Sequence, residues 1–194
     1  MENKKQTKTN VMKLLVLNKK IIIITSILVT FVIVVAIAIT STAYPLKYKD
    51  EIDYISKKYD IKADLIAGII YAESNFNPDA VSQKGAIGIM QILPETAEWL
   101  CEIMKIPYSK KMLFNPLYNI ELGTFYLTYL KEKFSGANAC IAAYNAGEGN
   151  ISLWLENDGY TQNGDIRTTP FKQTNAYIEK VNRAIEHYKK RFVN

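Results

Sequence analysis

Hydrophobic and polar positions recur along most of this chain with the spacing of amphipathic helices. In the stretch YKDEIDYISKKYD, Ile52, Ile55 and Tyr59 follow one another at helical intervals, which places them on one face of a helix. Five further stretches are predicted to be helical: ADLIAGIIYAES, PETAEWLCEIMK, NIELGTFYLTYLKEKF, ANACIAAYNA and TNAYIEKVNRAIEHYKKRF. The pattern therefore predicts a mainly α domain.

Two stretches of the same region lack the helical pattern. The stretch NFNPDAVSQKGAIGIMQIL contains Pro78, Gly85 and Gly88, which break helices and favour turns around at most a short strand pair. The stretch GEGNISLWLENDGYTQNGDIRTTPF is rich in Gly, Asn and Asp and is predicted to be mostly loop.

A continuous apolar segment precedes the predicted helices. Residues 21–40, IIIITSILVTFVIVVAIAIT, contain no charge, proline or glycine. At about 1.5 Å per residue they span a hydrocarbon core about 30 Å thick, so they are predicted to form a transmembrane anchor. The remaining segments are then residues 1–20 as a basic tail, 41–49 as a linker and 50–194 as the folded domain.

The charges before the apolar segment predict its orientation. Six lysines and one glutamate lie in the first twenty residues, and the positive-inside rule places such a tail in the cytoplasm and the folded domain outside the cell membrane. The alternative is a secreted protein with a cleaved signal peptide, since Ser41 and Ala43 are small residues suited to cleavage before Tyr44. A signal's apolar core of about 7–15 residues is shorter than this segment, which favours the anchor.

The net charge of the whole chain does not indicate a nucleic-acid partner. The chain has 24 Lys and Arg against 19 Asp and Glu. Six of the basic residues and one of the acidic residues lie in the tail, which leaves 18 of each sign. The domain is therefore electrically balanced, and no nucleic-acid binding is expected.

The histidine and cysteine content restricts the chemistry further. His187 is the only histidine, which argues against a hydrolase triad and against a His-rich zinc site; it is predicted to lie on the surface of the last helix. Cys101 and Cys140 occur in apolar helical stretches, where each can be a small buried hydrophobe or half of a disulfide. No metal site and no cofactor are expected.

Glu73 is the unusual residue of the second predicted helix. With side chains about 100° apart, it lies at the centre of the face formed by Ile66, Ile69 and Ile70, while Ala67 and other residues take the opposite face. An ionised carboxylate there is costly unless it is paired. Spacing alone leaves two interpretations: a buried ion pair or a helix that ends early enough to hydrate Glu73, or an acid with a raised pKa in a cleft.

Four blocks of sequence resemble the soluble lytic transglycosylase-like family, whose catalytic domain is similar to goose-type lysozyme. They occur in the order of the family and cover roughly residues 50–181: AESNFNPDAVSQKGAIGIMQILPETA, NPLYNIELGTFYLTYL, ACIAAYNAGEGNI and, weakly, QTNAYIEKV. The resemblance implies a lysozyme-like helical domain with a short irregular or β segment, preceded here by one N-terminal transmembrane helix.

The resemblance also implies the residues of a site. It makes Glu73 the single catalytic acid and base, with Tyr144 approaching its carboxyl group. The residues that it implies for the substrate cleft are Ser74, Ser82, Gln91, Tyr144, Asn145 and Tyr177. The last block departs from the family, because Gln173-Thr174-Asn175 stands where Glu-Thr-Arg is frequent, so a supporting charge near the site is expected to be missing.

The activity that the resemblance implies is that of a peptidoglycan lytic transglycosylase. Such an enzyme cleaves the β-1,4 bond between N-acetylmuramic acid and N-acetylglucosamine and forms a 1,6-anhydro sugar, with glycan strands as the partner and residues 21–40 as the contact with the membrane. One alternative is a muramidase on the same fold that uses Asp79, Glu95 or Glu148 as a second carboxylate. Another is a weakly active, membrane-anchored factor that binds or assembles cell wall.

Overall fold

The computed structural model describes Met12, residues 18–35 and residues 43–192 of the chain. They divide into two units, with the boundary between Ala43 and Tyr44. Most of the predicted cytoplasmic tail, the last residues of the predicted anchor (36–40) and Ser41 lie outside the described residues.

The first unit contains helix α1, Asn18–Val35, which is long and apolar enough to cross a membrane. A signal sequence near the N-terminus would meet the same criteria of length and composition. The hydroxyl groups of Thr25 and Ser26 both donate to the carbonyl oxygen of Ile22, at 2.9 and 2.8 Å. These polar groups are therefore satisfied within the helix, as an apolar environment requires. The prediction of one N-terminal apolar helix is confirmed.

The second unit, Tyr44–Asn194, is mainly helical in its described part. It contains seven α-helices, one 3-10 helix and one two-stranded hairpin. Their bounds are α2 Lys49–Tyr59, α3 Ala63–Ser74, α4 Pro94–Met104, the 3-10 helix Lys110–Phe114, α5 Pro116–Lys133, α6 Ala137–Ala146, α7 Glu148–Leu155, β1 Thr161–Gln162, β2 Asp165–Ile166 and α8 Lys172–Lys189. Each of the six stretches predicted to be helical contains a helix, so the mainly α class is confirmed.

Helix ends coincide with residues suited to them. Pro94 and Pro116 occupy the first positions of α4 and α5, where the missing N–H group costs nothing. The side chain of Asn115 caps α5 by accepting a hydrogen bond from the backbone N–H of Tyr118 at 3.0 Å, which satisfies one of the free donors of the first turn.

Helix α3 lies at the centre of the domain and is buried on more than one face. Ile66 and Ile70 are fully buried, as the helical period predicts. Ala67 and Gly68, on the opposite face, are also buried, so α3 is covered on both faces. A Cβ atom on Gly68 would lie 3.0 Å from Cγ1 of Ile185, which shows that α8 packs closely against this second face. A glycine in the middle of α3 allows that approach.

Part of the region predicted to be mostly loop is helical. Gly147, with φ of 85°, ends α6, and α7 begins at the next residue. Helix α7 buries Ile151 and Trp154, and this tertiary burial outweighs the local excess of glycine and asparagine. The short β segment that follows is a hairpin, in which Asn163 and Gly164 form the turn with positive φ values, as two-residue hairpin loops require.

The first residues of the second unit pack on the domain. The ring of Tyr44 stacks on Tyr71 of α3 and on His187 of α8, with centroid distances of 4.9 and 4.2 Å. The hydroxyl group of Tyr188 donates to the carbonyl oxygen of Pro45 at 2.7 Å. The described part of the predicted linker 41–49 is thus held by α3 and α8. His187 is half-buried under Tyr44 and not on an open surface.

The two cysteines are buried and are not joined by a disulfide. The Sγ atom of Cys101 lies 3.0 Å from the hydroxyl oxygen of Tyr118. The thiol of Cys140 donates to the carbonyl oxygens of Leu130 and Phe134, at 3.5 and 3.3 Å. Each cysteine therefore acts as a buried side chain with local partners of its own.

Candidate active site

Glu73 lies at the end of α3, one residue before the helix terminates at Ser74. Asn75 and Phe76 both adopt left-handed backbone angles, with φ of 52° and 63°, and so turn the chain away from the helix axis. The side chain of Phe76 is fully buried and holds this reversal in place. Because α3 ends here, Glu73 reaches the wall of a cleft although it belongs to a core helix.

The cleft has a volume of about 370 Å³, within the range of small-ligand sites. Among the described residues that line it, Glu73 is the only carboxylate. The lining residues are Glu73, Ser82, Gln83, Lys84, Ala86, Gln91, Leu93, Tyr144, Asn145 and Gln173. One wall comes from the ends of α3, α6 and α8, which we call the helical wall. The other comes from residues 75–93 between α3 and α4, which we call the turn segment.

The protonation of Glu73 is shifted by its surroundings. The pKa of its carboxyl group is raised from 4.5 to about 7, mainly because a carboxylate loses hydration on burial. The hydroxyl group of Tyr177 donates to Oε1 of Glu73 at 2.6 Å. This hydrogen bond and the charge of Lys180 lower the pKa and so oppose part of the rise. Glu73 is therefore an acid whose two forms coexist near neutral pH.

Tyr144 on α6 lines the cleft but donates its hydroxyl group to the turn segment. The acceptor is the carbonyl oxygen of Met90, at 3.0 Å. Burial and the neighbouring charge of Glu73 raise the pKa of Tyr144 well above 10, so the phenol is neutral beside the carboxyl group. Tyr144 thus joins the two walls next to Glu73.

The side chain of Asn119 on α5 forms hydrogen bonds with the backbone of the turn segment. Its side chain is fully buried, and its Oδ1 accepts from the backbone N–H of Met90 at 2.8 Å. Its Nδ2 donates to the carbonyl oxygens of Ile87 and Leu113, at 3.0 and 2.9 Å. Gly88 fits against this amide with φ of 85°, and a Cβ atom there would lie 2.2 Å from the carbonyl oxygen of Leu113.

The structure places Ser74 differently from the other implied cleft residues. Its hydroxyl group donates to the carbonyl oxygen of Ile89 at 2.7 Å and accepts from the backbone N–H of Asn77 at 3.2 Å. Ser74 is not among the lining residues of the cleft. Its contacts fasten the turn segment to the end of α3 beside Glu73.

Ser82, Gln91 and Asn145 all line the cleft. The hydroxyl oxygen of Ser82 accepts from the backbone N–H of Ala86 at 3.0 Å. Gln91, which has φ of 52°, donates from Nε2 to the carbonyl oxygens of Ala80 and Gly88, at 3.0 and 2.8 Å. Its amide oxygen then remains as an acceptor.

Asn145 offers donors where Gln91 offers an acceptor. Its Oδ1 accepts from the hydroxyl group of Thr174 at 3.1 Å, which leaves its amide N–H groups as donors toward the cleft. Tyr177 stands behind the cleft and does not line it, although it contacts Glu73 directly.

Asp79, Glu95 and Glu148 are the candidates for a second acid. Asp79 and Glu95 are exposed. Glu148 forms an ion pair with Lys133, with 3.0 Å between Nζ and Oε2. Burial raises the pKa of Glu148, but the hydrogen bonds from Lys133 and Tyr129 outweigh burial and the net pKa is lowered. None of the three lines the cleft.

Sequence reasoning missed Lys180 and several lining residues. The Nζ atom of Lys180 donates to the carbonyl oxygen of Ala72, in the last turn of α3, at 2.8 Å. Lys180 follows Tyr177 by three residues on α8. That spacing is the signal that could have identified it, since residues three apart share a face of a helix. Gln173, which departs from the sequence pattern of the family, also lines the cleft. Lys84 lines it too, but its stretch of sequence indicated only turns. In the part of the chain that the structure describes, no cluster of three or more His, Cys, Asp or Glu side chains could hold a metal ion.

Comparison with known proteins gives one consistent family. The family described as transglycosylase SLT domain matches residues 50–166. The membrane-bound lytic murein transglycosylase C of Histophilus somni strain 2336 is 34% identical over 185 residues, which cover 83% of this chain and 51% of that protein. The soluble lytic murein transglycosylase of Escherichia coli K12 is 35% identical over 144 residues, which cover 71% of this chain and 22% of that protein.

Solved structures agree with this result. The 70 kDa soluble lytic transglycosylase of Escherichia coli superposes with a TM-score of 0.71 and 31% identity, over 80% of this chain and 26% of that one. The chain therefore spans about half the length of the first of these relatives and about a quarter of the solved one.

Proposed function

The chain belongs to the transglycosylase SLT domain family, and from that premise we propose that it is a peptidoglycan lytic transglycosylase. The reaction is cleavage of the β-1,4 bond between N-acetylmuramic acid and N-acetylglucosamine, with formation of a 1,6-anhydro end on the muramic sugar. The observation that carries the proposal is Glu73: among the described lining residues it is the only carboxylate, and its pKa is about 7.

Glu73 acts first as an acid. Its protonated carboxyl group gives its proton to the oxygen that joins the two sugars, and the bond between that oxygen and C1 of the muramic sugar breaks. The N-acetylglucosamine leaves with a free 4-hydroxyl group. A pKa near the working pH suits this step, because a large fraction of the enzyme is protonated while the group remains a good donor.

Glu73 then acts as a base. Its carboxylate removes the proton from the C6 hydroxyl group of the same muramic sugar, and the C6 oxygen forms a bond to C1. The 1,6-anhydro ring closes and Glu73 regains its proton, so every proton is accounted for. An intramolecular nucleophile of this kind reaches effective molarities on the order of 10⁵ M.

The same argument explains why one carboxylate is enough. Hydrolases that use two carboxyl groups need the second one to activate water or to attack C1. Here the nucleophile belongs to the substrate. Asp79, Glu95 and Glu148 lie outside the cleft, which supports the mechanism that does not need them.

The polar groups beside Glu73 suit sugars that carry acetamido groups. Asn145 offers amide N–H donors and Gln91 offers an amide oxygen, since their other atoms are engaged by Thr174, Ala80 and Gly88. An acetamido group has one carbonyl acceptor and one N–H donor. The two side chains therefore match both of its polar atoms.

The test is digestion of purified peptidoglycan by the full chain in detergent, followed by mass spectrometry of the soluble fragments. We expect muramic ends that are 1,6-anhydro, and at least a roughly hundredfold loss of their release in Glu73→Gln. Fragments with free reducing ends would instead identify a muramidase. Binding to the sacculus without any soluble fragments would identify a wall-binding factor.

The proposal includes a location. Residues 21–40 anchor the chain in the cell membrane, residues 1–20 lie in the cytoplasm, and residues 50–194 act on wall near the membrane surface. Helix α1 supports the anchor by its length and apolar composition. Membrane fractionation and N-terminal sequencing of the mature protein test this location. A chain found free in the medium and beginning at Tyr44 would contradict it.

A further inference from the structure

The last turn of α3 carries an acidic residue where a helix favours a basic one. The carbonyl groups at a helix C-terminus give it a partial negative charge, which stabilises cations and repels carboxylates. Glu73 lies in this turn, and the turn itself contains no basic residue. Both burial and the helix end therefore disfavour the carboxylate that the second step of the proposed reaction requires.

A cation reaches this turn from α8. The Nζ atom of Lys180 donates to the carbonyl oxygen of Ala72 at 2.8 Å and lies 5.3 Å from the ring centroid of Tyr71. Ala72 directly precedes Glu73, and its carbonyl group is one of those that a helix end leaves without an intrahelical partner. Lys180 thus occupies the place of the missing basic residue.

Two residues on one face of α8 support Glu73. Tyr177 and Lys180 are three residues apart and so lie on the same side of the helix. Tyr177 donates to the carboxyl group itself, and Lys180 holds the backbone next to it. The structure thereby supplies a charge near the site although Gln173-Thr174-Asn175 lacks one.

We propose that Lys180 is a positioning residue that holds the carbonyl end of α3 and stabilises Glu73 as a carboxylate, so that this group can remove the proton from the C6 hydroxyl. The inference rests on the proposed function for its chemical meaning. Its physical content, an effect of the Lys180 charge on the titration of Glu73, is measurable without any substrate.

The other titratable groups around Glu73 are Tyr144 on α6, Tyr177 on α8 and Lys84 in the turn segment. Both tyrosines have pKa values raised well above 10, by burial first and by the charge of Glu73, so they stay neutral in the working range. Lys84 is exposed, where water screens its charge. Lys180 is only partly exposed, so its charge acts on Glu73 with less screening.

Two substitutions separate the charge from the hydrogen bond. Lys180→Gln keeps an N–H donor for the carbonyl oxygen of Ala72 and removes the charge, whereas Lys180→Arg keeps both. Lys189→Met removes a charge from an exposed position of the same helix and is the control. Titration of Glu73 is followed by carbon NMR of labelled glutamate in the full chain in detergent, with Glu73→Gln used to assign the signal.

We expect Lys180→Gln to raise the titration midpoint of Glu73 by about half a unit to one unit, since a nearby cation favours the charged form. Lys180→Arg and Lys189→Met should titrate as the wild type does. The alkaline limb of peptidoglycan cleavage should move with the midpoint. An unchanged midpoint in a folded Lys180→Gln variant, or an equal shift in Lys180→Arg, would overturn the inference. If Lys180→Gln shifts the midpoint of Glu73 but the wild type cleaves no glycan, only the proposed function is rejected.

Discussion

The two walls of the cleft are held together by different means. On the helical wall, Glu73 and Tyr144 project from α3 and α6, Tyr177 of α8 contacts Glu73 from behind the cleft, and the packing of these helices sets their positions. The turn segment has two isolated bridges in place of a sheet, Val81 with Ile87 and Ile87 with Ile92. A buried amide and left-handed backbone angles give it its shape.

Because of this difference, we expect substitutions in the two walls to affect stability and activity to different extents. The turn segment is held by hydrogen bonds to buried groups, those of Asn119 above all, so a change there should cost folding free energy before it affects chemistry. The helical wall holds a partly buried acid with a raised pKa, which is unfavourable for folding at neutral pH and useful for proton transfer. Changes on that wall should affect activity more than stability.

The largest effect should come from Asn119→Ala in the support of the turn segment. The substitution removes three hydrogen bonds of 2.8 to 3.0 Å and takes their side-chain partner from the N–H of Met90 and the carbonyl oxygen of Leu113, while the carbonyl oxygen of Ile87 keeps the N–H of Ile92 at 3.1 Å. Each such group costs about 1–3 kcal/mol, so we expect a loss of about 3–5 kcal/mol in the free energy of unfolding, measured by urea denaturation in detergent.

Asn182→Ala provides the matched control. Its Nδ2 makes a single hydrogen bond, to Oδ1 of Asn138 at 2.9 Å, and this bond lies on the surface. That variant should lose less than about 1 kcal/mol. If the two asparagine variants unfolded at the same urea concentration, the buried amide would not be what shapes the turn segment.

Gly88→Ala should have the next largest effect. The new Cβ atom would lie 2.2 Å from the carbonyl oxygen of Leu113, and the residue has φ of 85°, which disfavours any side chain. We expect the free energy of unfolding to fall by about 2–4 kcal/mol. Gly149→Ala is the control, because nothing lies within 4 Å of its added Cβ and its φ is not positive. That change, within α7, should stabilise the protein by up to about 1 kcal/mol, and an equal loss in both variants would contradict this account.

The two walls also differ in how far the sequence could predict them. Helical spacing alone identified Glu73 as a carboxylate among apolar side chains, because that position falls within a local period. Tyr144 and Tyr177 came from the resemblance to the family and not from a period. Asn119 showed no such signal. It lies on the predicted helix after Pro116, 29 residues from Met90, and only the folded chain brings its amide beneath the turn segment.

Lys180 and α7 were missed for related reasons. Lys180 is one of many lysines in a strongly charged helix, and its importance depends on the distance to Ala72 on another helix. Helix α7 has a composition that favours loops, but burial of Ile151 and Trp154 decides its conformation. Local patterns therefore predicted the class of fold and the unusual position of Glu73, the family blocks supplied its role, and long-range contacts set the remainder of the site.

The third prediction tests the cost of the helical wall. Because the pKa of Glu73 is about 7 in the folded protein and 4.5 ordinarily, the folded state binds the proton more tightly than the unfolded state. Stability from this group is present below pH 4.5 and is lost as pH rises to about 7, by about 3 kcal/mol. Glu73→Gln cannot ionise and should escape this loss.

Urea denaturation of both proteins at about pH 4 and pH 8 measures the difference. At the lower pH the wild type and Glu73→Gln should be within about 0.5 kcal/mol. At the higher pH Glu73→Gln should be the more stable by up to about 3 kcal/mol. A constant difference across this range would mean that Glu73 is hydrated in the folded chain and titrates as an ordinary glutamate.

The smallest effect expected is on the pH dependence of Tyr177→Phe. The lost hydrogen bond of 2.6 Å stabilises the carboxylate of Glu73, so its removal raises the pKa further and moves the alkaline limb of cleavage upward, by about one pH unit. Tyr188→Phe is the matched control: it also loses a hydrogen bond, of 2.7 Å to the carbonyl oxygen of Pro45, but not one to Glu73. Both variants should lose about 1 kcal/mol of stability, and only Tyr177→Phe should shift the pH profile. A shift in both would mean that general loosening of α8, and not the contact with Glu73, controls the acid, and the separation of the two walls would then fail at its most direct point.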